Sequence, residues 1–163
     1  MGDWVAIEMG ADENEYDAVI RARLGRHTCL SRKAPGKVTE EQVIAVNIDV
    51  VCVVTDAGQD FNERRMERYF EVMQRNGARS VDLNNKYHLY STEANEKAAN
   101  TLRMLSPEVD IFVTSAVEST GVDVIRHYLK PGVTVALIGS SGVGKSSLIN
   151  QLIGQEWLWT GDV

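Results

Sequence analysis

"VTVALIGSSGVGKSSLINQLIG", residues 133–154, decides the fold. Its first part, Val133 to Ile138, is an apolar and partly β-branched run that reads as a strand. Its last part carries Leu148, Ile149, Leu152 and Ile153 at helical spacing. Between them lies Gly139-x-x-x-x-Gly144-Lys145-Ser146, the spacing of a phosphate-binding loop. Its glycines, Gly139, Gly142 and Gly144, let the backbone turn so that successive N–H groups point at phosphate oxygens, and the helix start adds partial positive charge. Ser140, Ser141, Val143 and Ser147 complete the loop. Lys145 is expected to reach the β- and γ-phosphates and to carry the catalytic charge, while the Ser146 hydroxyl is placed for Mg2+. Residues 139–147 therefore predict binding of a nucleoside triphosphate.

Upstream of this loop, strands alternate with helices. "VIAVNIDVVCVVTD" is too β-branched for a helix and too uniformly apolar for a half-exposed strand, so Asp49–Thr55 is expected to be buried on both faces. "DFNERRMERYFEVMQRNG" offers Asp60 with Glu63 as a capping box, a stripe of Met66, Tyr69, Phe70 and Met73, and Gly77 as terminator. "STEANEKAANTLRML" repeats the pattern, with Ser91 as N-cap and Ala94, Ala98, Leu102 and Leu105 on one face. "DIFVTSA", "GVDVIRHYL" and "VTVALIG" then read as strand, helix and strand. The expected class is α/β: a mostly parallel sheet with helices on both faces, binding its ligand beyond the carboxyl ends of the strands.

The first 40 residues differ. Residues 3–8 and 17–32 alternate apolar and polar positions in short runs, which predicts short antiparallel strands of a partial small β-barrel. "KAPGKVTEE" marks a boundary, giving a β segment over 1–40 and an α/β domain over 41–163. The net charge is −6, yet Arg21, Arg23, Arg26, Arg32, Lys33 and Lys37 fall in 17 positions with no acidic residue among them. Removing that +6 leaves the remainder at −12. Such a segment is either a solvated basic face or a contact surface for a nucleic-acid backbone. His27 and His127 are assigned no role, and Tyr87 is read as structural.

A chain of 163 residues with 44% hydrophobic content can bury one sizeable core. No apolar run approaches the roughly 20 residues that span a bilayer, and "MGDWVAIEMGADENEYD" is acidic where a signal peptide is basic. A cytoplasmic monomer without membrane contact is expected. Cys29 and Cys52 sit between apolar neighbours without metal-ligand spacing and are read as reduced core residues. Trp157 and Trp159 are expected to open a further strand that packs on the core.

The loop alone does not choose among ATPases, kinases and GTPases. "SVDLNNKYHL" resembles the Asn-Lys-x-Asp element with which Ras-like GTPases recognise guanine, the aspartate accepting from the ring N1 and the exocyclic amine. Asn85 and Lys86 match it, and His88 stands at the aspartate position. "FVTSAVESTGVDVIRHYL" resembles the next such element, in which Ser115 and Ala116 close over the base. Here both elements precede the phosphate loop, whereas in an ordinary GTPase they follow it. This order, the basic β segment ahead and "QVIAVNIDVVCVVTDAGQDFNERRMERYF" at the junction resemble the circularly permuted ribosome small subunit-dependent GTPase A family (RsgA, YjeQ, EngC).

The resemblance implies a GTPase of late small-subunit maturation, with an OB-fold that binds rRNA, a permuted GTPase domain and a C-terminal zinc domain. GTP or GDP, Mg2+ and the small ribosomal subunit are then the expected ligands and partner. Zn2+ is expected in the full-length family, although its ligands and the family's switch segments are not among these 163 residues. Without switch segments, these residues are expected to bind nucleotide and hydrolyse it poorly. Two further readings stay open: an RNA-binding remnant using only the Arg21 to Lys37 face, and an ATP-using protein, which His88 allows.

Overall fold

The structure, a computed structural model, describes residues 1–9, 18–33, 41–58 and 61–160. The chain divides into two compact units, Met1–Ile48 and Asp49–Val163.

In the first unit, β1 (Val5–Met9) pairs antiparallel with β2 (Ala18–Arg23), and β3 (Cys29–Lys33) with β4 (Glu41–Val46). Each ladder shifts register once, at Ala6/Ile7 and at Leu30/Ser31, as bulges do in strongly curved sheets. These two small sheets suit part of a barrel. The division expected at residues 40 and 41 falls just before β4, which pairs back on β3, so the first unit runs on to Ile48. Among the described residues, Leu30, Val46 and Ile48 are its buried apolar side chains. Thr28 staples them: its hydroxyl donates to Ile48 O at 2.8 Å and accepts from Ile48 N at 2.6 Å.

In the second unit the elements run β5 (Val50–Thr55), α1 (Glu63–Asn76), β6 (Arg79–Asn84), a 3-10 turn (Tyr87–Leu89), α2 (Thr92–Leu105), β7 (Asp110–Val113), α3 (Asp123–Arg126), β8 (Val135–Ile138) and α4 (Lys145–Ile153). The four strands form one parallel sheet in the order β7-β6-β5-β8. Every residue of β5 is buried, as its unbroken apolar run requires. Val50, Cys52 and Val54 point to one face, where they join Val81, Leu83, Ile125 and Leu148. The opposite face meets α1 and α2, through Ser80 against Met73 and Asn84 against Asn95. Helices thus cover both faces, α3 and α4 on one and α1 and α2 on the other.

The α1 stripe buries Met66, Phe70 and Met73. Its N-cap is Asn62, whose side chain accepts from Arg65 N; Asp60, expected to cap it, lies outside the described residues. Ser91 caps α2 through Ala94 N, and Asn95, Ala98, Ala99 and Leu102 are its buried residues. Cys52 and Cys29 are free thiols, and burial pushes the Cys52 thiol up to about 12. Trp157 and Trp159 do not form a strand; both are exposed, and Asn150 instead anchors the following chain by accepting from Trp157 N and Leu158 N. Among the described residues, no helix is long and apolar enough to cross a membrane.

Candidate nucleotide site

A parallel sheet brings the carboxyl ends of its strands to one edge, and here four loops meet there: Asp56 after β5, Asn85–His88 after β6, Thr114–Ala116 after β7, and Gly139–Gly144 after β8. The last runs directly into α4. The first hydrogen bond at that end runs from Leu148 N to Gly144 O at 3.0 Å, so the amides before it have no helical acceptor and point out of the helix end. That is the polarity an anion needs.

Two glycines are required by close approach. A Cβ on Gly139 would lie 2.4 Å from Val54 O, and one on Gly144, where φ is 102°, would lie 2.3 Å from Asn85 Nδ2. Between them, Ser141 and Gly142 are exposed, Ser140 is half-buried, and Val143 is buried in the core. Lys145, Ser146 and Ser147 form the first turn of α4, all half-buried. The Lys145 ammonium arches back over the loop and donates to Gly139 O at 3.1 Å and Ser140 O at 2.7 Å. Burial lowers its pKa below the ordinary lysine value. It is thus poised at the mouth of the loop, where phosphate oxygens would replace two neutral carbonyls with charged acceptors.

Asn85 joins this loop to its neighbours. Its Nδ2 donates to Val143 O at 2.9 Å, and its Oδ1 accepts from Thr114 Oγ1 at 3.2 Å. Three strands are therefore locked together at their carboxyl ends by one fully buried amide. Lys86 follows in the left-handed region, φ 57°, and lies 4.0 Å from Asp56. His88 Nδ1 lies 2.7 Å from Ser115 Oγ, and Ala116, next in the chain, is buried in the core. The structure thus brings together Asn85, Lys86, His88, Ser115 and Ala116 with loop residues 139–147 at one edge of the sheet. Thr114 and Asp56 belong to the same edge, although no motif singles them out. "FVTSA" and "VVTD" do place a polar residue just past an apolar run, which is the signal that finds them.

A magnesium ion would find the Ser146 hydroxyl at the start of α4. Among the described residues, no group of three or more His, Cys, Asp or Glu side chains is arranged to hold a metal. The fit is that of an ion carried mainly by phosphate oxygens and water, as Mg2+ commonly is.

The basic segment is less free than its sequence suggests. Arg26 makes a two-pronged pair with Asp3, both contacts 2.7 Å, and Arg21 pairs with Glu8 on the exposed ribbon of β1 and β2. Arg23 is exposed on β2. Arg32 and Lys33 lie on β3, and Lys37 lies outside the described residues.

A parallel sheet whose terminal strand feeds this loop and helix defines a P-loop GTPase-like fold with its elements in permuted order. A family model described as RsgA GTPase matches residues 23–163. The chain is 44% identical over 163 residues to the small ribosomal subunit biogenesis GTPase RsgA of Methanosarcina acetivorans, covering 100% of this chain and 43% of that protein. It is 38% identical over 167 residues to the protein of the same name from Opitutus terrae, covering 99% and 45%. The crystal structure of YjeQ from Thermotoga maritima superposes with a TM-score of 0.70 at 27% identity, over 93% of this chain and 50% of that one. YloQ, a circularly permuted GTPase, shares the fold at a TM-score of 0.61 and 20% identity, over 92% and 48%. The chain belongs to the RsgA GTPase family, and it spans less than half the length of the Methanosarcina and Opitutus proteins.

Proposed function

We propose that this chain holds a purine nucleoside triphosphate, GTP in the family's reaction, with Mg2+ at the loop 139–147, and that it serves GTP hydrolysis during small ribosomal subunit maturation. The observation that carries this reading is the joint placement of Lys145 and Asn85. One offers a positive charge at the mouth of the loop, and the other ties that loop to the two segments expected to flank the base. With nucleotide bound, the Lys145 ammonium would leave the two carbonyls for phosphate oxygens, the α4 amides would donate to phosphate oxygens, and the Ser146 hydroxyl would help hold Mg2+. The metal would supply neutralisation of phosphate charge. Phosphoryl transfer depends on positioning and electrostatics, and these groups supply the binding half of both.

The names of the relatives point to the small ribosomal subunit as partner. Arg21 and Arg23, exposed on β2, are the side chains best placed to meet an RNA backbone, because a surface pair such as Arg21–Glu8 exchanges readily for phosphate. Arg26, half-buried and forked onto Asp3, is a positioning residue of the unit instead. The same reading implies a protein of the cytoplasm.

Titration with a fluorescent guanine diphosphate tests the nucleotide site: Lys145→Ala is expected to weaken binding at least tenfold, and equal affinity in the two proteins would overturn the reading. Turnover by these 163 residues alone is expected to be slow. Retention on small-subunit RNA should fall with Arg21→Ala/Arg23→Ala, fall steeply with salt, and be indifferent to Lys145→Ala.

A further inference from the structure

His88 sits in a turn that has little freedom. Lys86 before it is left-handed, Tyr87 N donates to Thr114 O at 3.3 Å, and Tyr87 O accepts from Asn95 Nδ2 at 3.2 Å. The backbone is thus pinned to the end of β7 and to α2. The imidazole is pinned too, by the 2.7 Å contact between Nδ1 and Ser115 Oγ.

The partners of Ser115 set which nitrogen carries the hydrogen. Ser115 is fully buried, and its backbone N–H and C=O are both used by Thr120, at 2.9 and 3.0 Å. Its hydroxyl accepts from Glu118 N at 3.2 Å. A buried hydroxyl hydrogen needs an acceptor, and Nδ1 is the neighbour within reach that offers one. Ser115 therefore donates to Nδ1, and the neutral ring carries its hydrogen on Nε2. An imidazolium would carry one there as well. In both forms Nε2 is a donor, and it has no protein partner among the described residues.

Guanine turns two donors, N1–H and the 2-amino group, toward the position that His88 occupies in the resemblance. Donor would then face donor. Xanthine has a carbonyl in place of that amine, and adenine has a bare N1, so each offers an acceptor on the same edge. We propose, resting on the nucleotide-site reading above, that His88, oriented by Ser115, is a specificity residue that removes guanine preference and favours a purine nucleotide with an acceptor on that edge. Guanine nucleotides still bind through their phosphates, without discrimination by the base. A site built around a hydrogen-bonding group discriminates strongly against a ligand that cannot match it.

The test is fluorescence titration of the full 163-residue chain with ribose-labelled GDP, XDP and ADP. XDP or ADP is expected to bind at least as tightly as GDP, and whichever is tighter assigns the acceptor to position 2 or to ring N1. His88→Asp should tighten GDP by about tenfold or more relative to both other nucleotides. Ser115→Ala, which frees Nδ1 to carry the hydrogen, should narrow the spread among the three. Affinity for inorganic tripolyphosphate should be the same with and without His88→Asp. If the unsubstituted chain prefers GDP tenfold or more over both XDP and ADP, the proposal fails while the nucleotide site stands. The same holds if His88→Asp changes tripolyphosphate affinity as much as GDP affinity. Should no nucleotide bind either the unsubstituted chain or His88→Asp, the nucleotide-site reading itself fails, and this proposal with it.

Discussion

Two strands of similar length, β1 and β5, show how differently the two units are held together. Both are rich in apolar residues, yet every residue of β5 is buried and every residue of β1 is exposed. β5 has a strand on each side and helices on both faces. Among the described residues β1 has a single partner strand, and Trp4 just before it, with Ile7 and Ile20 on the ribbon, are 69%, 55% and 65% exposed. Apolar content sets what a strand is able to bury; the number of layers around it sets what it does bury. Stability in this chain should therefore concentrate in the second unit, while the first tolerates change on its β1–β2 ribbon.

The largest effect expected to test that contrast comes from Phe70→Ala, which empties a buried position of α1 and should cost about 3–5 kcal/mol by urea unfolding. A cost near zero would put the core elsewhere.

Next comes Asp82 on β6, a carboxyl with no exposure whose Oδ1 accepts from Thr55 Oγ1 at 3.0 Å and whose Oδ2 has no partner among the described residues. Burial pushes its pKa from 3.8 up to about 7, with the Thr55 hydrogen bond opposing the shift. The native chain thus keeps a proton that the unfolded chain releases. The contribution of this group is whole below pH 3.8 and lost as the pH rises through about 7. Unfolding at about pH 5 and about pH 8 should show a loss on the order of 2–4 kcal/mol from this group, and Asp82→Asn should remove it. An unchanged pH profile in Asp82→Asn would show that the carboxyl is ionised in the native state.

Asn85→Ala removes the buried amide between Val143 and Thr114 and should cost about 1–3 kcal/mol, with weaker nucleotide binding read in the same preparation. At the small end, Ile7→Ala on the exposed ribbon should stay within about 0.5 kcal/mol. A larger loss there would mean that the ribbon is covered in solution.

Much of the second unit is legible in the sequence because its signals are local. The β5 run, the α1 stripe, the Ser91 cap and the loop spacing each lie within one short stretch, and the structure has each of them. The cap of α1 is Asn62, directly before the helix, where its side chain accepts from Arg65 N, whereas the capping-box pattern points two residues earlier, to Asp60. Contacts that build the site are not legible. Asn85 meets Val143 across 58 positions, and His88 meets Ser115 across 27; no periodicity links residues so far apart. The exposure of β1 is hidden for a related reason, since alternation reports a face without reporting whether anything lies against it.

The position of β5 in the sheet also governs when the second unit can be completed. Val50 pairs with Arg79 on one side and with Val135 on the other, so its two neighbours arrive 29 and 85 residues after it. On a chain emerging from synthesis, the first strand of the unit is also an inner strand of its sheet. One side closes early with β6; the other stays an open apolar edge until β8 has been made. That delay is the cost of a long-range parallel pairing, and it makes the interval before residues 135–138 appear the period in which a nascent chain is most exposed to misassociation.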